Sequence, residues 1–326
     1  MAKSTKHKPK RPGHRPGRPG GKRAGTPHVR KARFGDWVSA ARISTLPLSV
    51  APVVLGTAVA FALRSDDDGV WWHWWRAAAC LMVAVCLQIG VNYANDYSDG
   101  IRGTDAVRAG PRRLTASGAA KPRTVLTVAL VFFALAAIAG LIITWRTGFW
   151  WFIAVGAVCI AAAWFYTGGR RPYGYYALGE VAVFIFFGPV ATLGTQFAIL
   201  GRVTVEGVLV AVAAGLFATA TILIANARDR TNDAAAGKRT LSVIIGHWPS
   251  RILYVVLLLL PYGIAAVFGT FYADNAWYAY FTLFITAPAA IIALTARTPP
   301  ELVTVLRLTA FGALAYALVL GWAIAF

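Results

Sequence analysis

From Trp37 to its last residue the chain is a succession of apolar runs, and nothing else about it limits the possible folds so much. Hydropathy separates about nine runs of about twenty residues, the length a bilayer core requires. They cover 37–63, 71–98, 122–145, 148–167, 177–200, 204–228, 250–270, 276–296 and 302–325. With 58% of residues hydrophobic and 14% charged, the composition is that of a polytopic membrane protein, not of a soluble domain. The predicted fold class is therefore all-α, with about nine transmembrane helices. The second run is entered through Trp71, Trp72, Trp74 and Trp75, an aromatic belt suited to a membrane interface.

The formal net charge of +19 is unevenly spread. Lys3, Lys6, Lys8, Lys10, Arg11, Arg15, Arg18, Lys22, Arg23, Arg30, Lys31 and Arg33 precede the first acid, Asp36, in a segment rich in Pro and Gly. Such a segment cannot bury a core, so the predicted organisation is a disordered basic tail over 1–35 and a transmembrane domain over 36–326. The tail reads as a solvated arm facing lipid headgroups, and nucleic acid is not expected as a partner. It lacks the short apolar core of a signal peptide. Cys80, Cys86 and Cys159 all lie in apolar runs without metal-ligand spacing and read as small hydrophobes.

Lysine and arginine counting orients the spans. Arg102, Arg108, Arg112, Arg113, Lys121, Arg123, Arg170, Arg171, Arg228, Arg230, Lys238, Arg239 and Arg251 fall on the side of the basic tail. The other side keeps Arg64, Arg76, Arg146, Arg202 and the acidic run Asp66–Asp68. The expected topology has a cytoplasmic N-terminus and an extracytoplasmic C-terminus, in a bacterial plasma membrane. Pro47 and Pro52 are expected to kink the first span, which also carries Arg42.

Two stretches carry the chemistry. In QIGVNYANDYSDGIRGTD, Gln88, Asn92, Asp96 and Asp99 follow one another at helical steps and are expected on one face. In ANARDRTNDAAAGKRT, Asn226, Asp229 and Asp233 do the same, with Lys238 and Arg239 immediately after. Both stretches end an apolar run on the basic side, which hints at an internal duplication. Between them lies the turn Tyr166-Thr-Gly-Gly-Arg170-Arg171-Pro172 on the same side. Carboxylates at the mouth of a membrane helix are costly unless they hold a cation or line a wet cavity. Carboxylates and guanidiniums together describe a phosphate bridged to the protein by Mg²⁺, which takes a few carboxylates, water and phosphate oxygens. A lipid with a diphosphate head is the ligand this suggests. Loss of the diphosphate would leave an allylic cation for an electron-rich partner to capture.

The segments NDYSDGIRGTD, YTGGRRPYGYYALGE and ARDRTNDAAAGKRTL resemble the intramembrane aromatic prenyltransferases of the UbiA superfamily, over nearly the whole chain from Trp37 onward. They look most like its branch acting on 1,4-dihydroxy-2-naphthoate. The resemblance implies helices around a central cavity, Mg²⁺ as cofactor, a polyprenyl diphosphate donor, and an aromatic acceptor that loses its carboxylate on prenylation. It implies a metal on Asp96 and Asp99 and another on Asp229 and Asp233, with Asn92 and Asn226 assisting. Arg102, Tyr166, Arg170, Lys238 and Arg239 would face the diphosphate, and Arg42 the acceptor carboxylate. Two positions depart from the superfamily pattern. Gly103 stands where a third aspartate is common, leaving Asp105 as a further candidate, and Arg170 stands where lysine is usual. Another acceptor, such as 4-hydroxybenzoate, and an ion-coupled transporter are the competing readings.

Overall fold

The computed structural model describes residues 30–64, 74–104 and 113–326. Residues 1–29 of the basic tail, Asp66–Asp68, Trp71, Trp72, Asp105, Arg108 and Arg112 lie outside the described residues. Among those described, the regular structure is entirely helical. Seven helices are long and apolar enough to cross a membrane, or eight if the bent pair at the start counts as one span. The expected span 148–167 is realised as α5, Phe152–Phe165, only 14 residues long. At 1.5 Å per residue that is about 21 Å, short of the roughly 30 Å hydrocarbon core.

The first expected span is broken. α1 (Phe34–Ala40) and a short 3₁₀ turn (Ile43–Thr45) meet α2 (Pro47–Ala62) at 45°. The break falls at Arg42, whose φ of 54° and ψ of 53° are left-handed, and Pro47 then opens α2 at its first turn. Pro52, also expected to kink, sits inside a continuous helix. α3 (Trp74–Arg102) braces the break: the Asn92 side-chain amide donates to the Ala41 carbonyl at 2.9 Å, and the Tyr93 hydroxyl to that of Trp37 at 2.8 Å.

α4 (Pro122–Thr147) begins with Pro and stops at Gly148, a left-handed residue, and packs along α3. After α5, the span Gly179–Leu200 is interrupted. α6 (Gly179–Ile185) widens into a π segment over Phe186–Leu193, which contains Pro189, before α7 (Gly194–Leu200). The proline cannot supply a backbone N–H, and a π segment is one way a helix absorbs that loss. α8 (Val205–Ala235) is capped by the Thr204 hydroxyl, which accepts from the Gly207 N–H. It is the most buried span and the axis of the larger core. The short α9 (Leu241–Ile245) leads to α10 (His247–Phe271), a 3₁₀ stretch (Asp274–Thr282), α11 (Leu283–Thr295) and α12 (Pro299–Ala325). α9, α10 and α12 pack on α8, α12 also packs on α2, and α11 and the 3₁₀ stretch pack against α10 and α12.

Candidate functional site

Two helix ends of the same construction build the site. α3 ends at Gly103 (φ 75°), where the Gly103 N–H donates to the Gly100 carbonyl and the Thr104 N–H to that of Asp99. α8 ends at Gly237 (φ 75°), where the Gly237 N–H donates to Ala234 and the Lys238 N–H to Asp233. Both are Schellman turns, in which the second residue past the helix folds back over the aspartate four residues before the glycine. A Cβ would be strained at that φ, so glycine at 103 has a structural reason to stand where an acid was expected. At α8 the turn carries Lys238 back over Asp233. The shared Asp-x-x-x-Gly spacing was present in the sequence and marks both ends.

Lys238 then joins the two motifs. Its ammonium lies 3.6 Å from Asp99 and 3.9 Å from Asp233, over the Tyr175 ring at 4.6 Å from the centroid. Asp99 is 3% exposed and Lys238 7%. The Tyr175 hydroxyl donates to the other Asp99 oxygen at 2.7 Å. Burial, and then the Asp99 charge, push that phenol up to about 12, so it stays a donor at any physiological pH. The loop bearing Tyr175 is tied to the α8 end by the Arg239 N–H, which donates to the Tyr175 carbonyl at 2.8 Å.

The cluster forms the polar end of a cavity of about 660 Å³, whose walls toward α4, α5 and the π segment are mainly apolar. α3 contributes Gln88, Asn92, Asn95 and Asp99, so the face presented is 88, 92, 95 and 99. The expected face had Asp96 where Asn95 stands, and Asp96 is turned away by one residue's rotation, about 100°. It is 0% exposed, and its two oxygens accept the Leu114 and Thr115 N–H groups at 2.9 and 2.8 Å. Asn95 accepts from the Thr167 hydroxyl at 2.6 Å. On α8, Asn226, Arg228 and Asp233 line the cavity, while Asp229 is buried behind it and paired with Arg228 at 2.7 Å. Asn226 donates at 2.9 Å to Glu180, an acid in the first turn of α6 that is 4% exposed.

The basic residues divide likewise. Arg42, Tyr166 and Lys238 line the cavity. Arg102 donates to the Thr167 and Gly169 carbonyls instead, clamping the glycine turn from outside. Arg170 and Arg239 are exposed and outside the lining. Sequence reading missed Arg113, Arg228 and Tyr175, which do line it, and Asn95, whose place four residues before Asp99 was the available signal.

Among the described residues no three of His, Cys, Asp and Glu converge as a metal cage. Asp99, Asp233 and the Asn95 amide oxygen at the polar end of the cavity are nevertheless a hard-oxygen donor set. That fits Mg²⁺, which is commonly held by one or two carboxylates and completed by substrate phosphates and water.

Carboxylates bridged by lysine at one end of an apolar, membrane-embedded cavity define a class: an all-α, multi-pass membrane protein that takes a molecule with an anionic head and an apolar body. The chain belongs to the UbiA prenyltransferase family, whose model matches residues 50–302. It is 45% identical to the 1,4-dihydroxy-2-naphthoate octaprenyltransferase of Mycobacterium tuberculosis, over 90% of this chain and 98% of that one. The protein of the same name from Escherichia coli is 34% identical, over 76% of this chain and 80% of its own. Among solved structures, a UbiA homolog from Aeropyrum pernix superposes with a TM-score of 0.64 at 15% identity, covering 87% of this chain and 98% of that chain. A UbiA homolog from Archaeoglobus fulgidus bound to GPP and Mg²⁺ gives 0.56 at 14% identity, covering 89% and 99%. At those identities the likeness is one of fold.

Proposed function

We propose that this chain transfers a polyprenyl group from a polyprenyl diphosphate to 1,4-dihydroxy-2-naphthoate, with loss of the acceptor's carboxylate, giving demethylmenaquinol. The observation that carries the reading is the Lys238 bridge between Asp99 and Asp233 at the polar end of an apolar cavity. Its relatives' names supply the acceptor.

Lys238, Arg228 and Arg113 bind the diphosphate oxygens as the bond from the first prenyl carbon to oxygen breaks and its electron pair leaves with the diphosphate. Asp99 and Asp233, with Asn95, would hold Mg²⁺, which when bound neutralises the charge growing on the leaving group. Asp96 and Asp229 act from behind, the first by fixing the 113–115 backbone and the second by fixing Arg228. Tyr175 orients Asp99. The cavity's apolar walls keep water from the allylic cation while the acceptor's ring carbon attacks it. Attack at the carbon bearing the carboxylate, with CO₂ leaving its bonding pair to the ring, restores aromaticity. Arg42 adds positive charge on the side of the broken first span. The polar end faces the cytoplasm, about nine helical segments cross the bilayer when α5 is counted with the turns that flank it, and the basic tail takes no part in the chemistry.

The test uses the full chain in detergent with a polyprenyl diphosphate, Mg²⁺ and acceptor labelled at its carboxyl carbon. Prenylated product with stoichiometric release of labelled CO₂ is expected. Product retaining the label refutes the decarboxylative step, and a clear preference for 4-hydroxybenzoate refutes the acceptor.

A further inference from the structure

α12 puts one cation into the cavity wall. Arg307 lines the cavity with Val303 and Leu306, as do Ser44, Thr45 and Leu48 of the broken first span, whose segments pack against α12. It stands eight residues into α12, about 12 Å along the axis, inside an apolar span. An ionisable side chain at such a depth is costly without a task. Arg307 is also exposed, so the cavity reaches the outer surface of the bundle beside it. Among the described residues it has no hydrogen bond or ion pair. The nearest acid on its own helix, Glu301, is occupied one turn and a half away by the Thr298 hydroxyl and the Arg297 N–H. Arg42 differs: it has an interaction of its own, and its left-handed backbone makes the helix break.

We propose that Arg307 is the carboxylate-binding residue of an aromatic-acid site on this flank of the cavity, apart from the Lys238 cluster. A single guanidinium presents a planar fork that matches one carboxylate, whereas a diphosphate calls for several cations, as in the Lys238 cluster. Leu306, Val303 and Leu48 supply an apolar bed for fused rings beside it. The identity of the acid as the acceptor rests on the reaction proposed above; the binding preference itself does not.

The experiment measures binding of two unreactive probes, 2-naphthoate and 2-naphthamide, to the full chain in detergent, by calorimetry or quenching of tryptophan fluorescence. The wild type is expected to bind the acid about tenfold or more tightly than the amide, the scale of a charge-assisted hydrogen bond. Arg307→Met should bind both alike, and Arg307→Lys should keep part of the preference, because charge survives without the fork. A preference for the acid that persists in Arg307→Met overturns the site, as does a wild type that does not distinguish the probes. Arg307-dependent binding in a chain that fails to turn over labelled acceptor would leave this site standing and remove the reaction; turnover without that dependence would do the reverse.

Discussion

Replacing Lys238 by methionine removes a charge that Asp99 and Asp233 share. At 3.6 and 3.9 Å each ion pair carries gross attraction of about 4 kcal/mol at an effective dielectric constant near 20. Burying the lysine offsets part of that in the wild type. In the variant two carboxylates remain without their common counter-charge, and breaking a buried ion pair in this way costs about 3–5 kcal/mol. For a chain of 326 residues that corresponds to a fall in Tm of about 4–7 °C. A thiol-reactive dye can follow unfolding in detergent, because Cys86 is buried in the native chain. The loss should be largest in EDTA and should shrink on adding Mg²⁺ by more than Mg²⁺ stabilises the wild type, since a divalent cation can replace the missing charge. Combining Lys238→Met with Asp99→Asn should recover part of the loss, because the two sites share one interaction. A Lys238→Met chain that melts with the wild type in EDTA would refute the idea that lysine holds the two motifs together.

Asp99→Asn or Asp233→Asn should lower kcat by about a hundredfold or more, and EDTA should abolish wild-type turnover until Mg²⁺ is restored; full turnover without metal would refute the metal reading. Asp96→Asn should instead destabilise by about 1.5–3 kcal/mol, because one backbone N–H of Leu114 or Thr115 would then face an amide NH₂. Faster proteolysis within 113–120 is its readout, and an unchanged melting curve would count against the anchor. Tyr175→Phe should weaken Asp99's placement equally from pH 6 to 9. The phenol's folded pKa of about 12 exceeds its unfolded value of about 10, so its contribution is intact below pH 10 and fades as pH rises above it. For topology, Ala234→Cys in a chain lacking Cys80, Cys86 and Cys159 should resist an impermeant maleimide applied to intact cells; ready labelling would reverse the orientation.

The sequence by itself determined that this chain is helical and lives in a bilayer, because long apolar runs leave the backbone no other way to satisfy its hydrogen bonds. It also marked both chemical segments, since aspartates at the end of an apolar run are too costly to be incidental. Helical spacing fixed which residues are near one another along α3 and α8, but not which way each face turns. A one-residue difference in position is about 100° of rotation, and packing against neighbouring segments chose Asn95 and Asp99 for the cavity and gave Asp96 to the 113–115 backbone. Arg102 and Arg170 looked equivalent as loop cations, yet one clamps a glycine turn and the other faces outward. The meeting of Asp99 with Asp233 spans more than a hundred residues of chain, and no local pattern encodes it. It depends on two glycine-terminated helix ends brought to the same level and on a lysine carried back over one of them, which only the packed bundle decides.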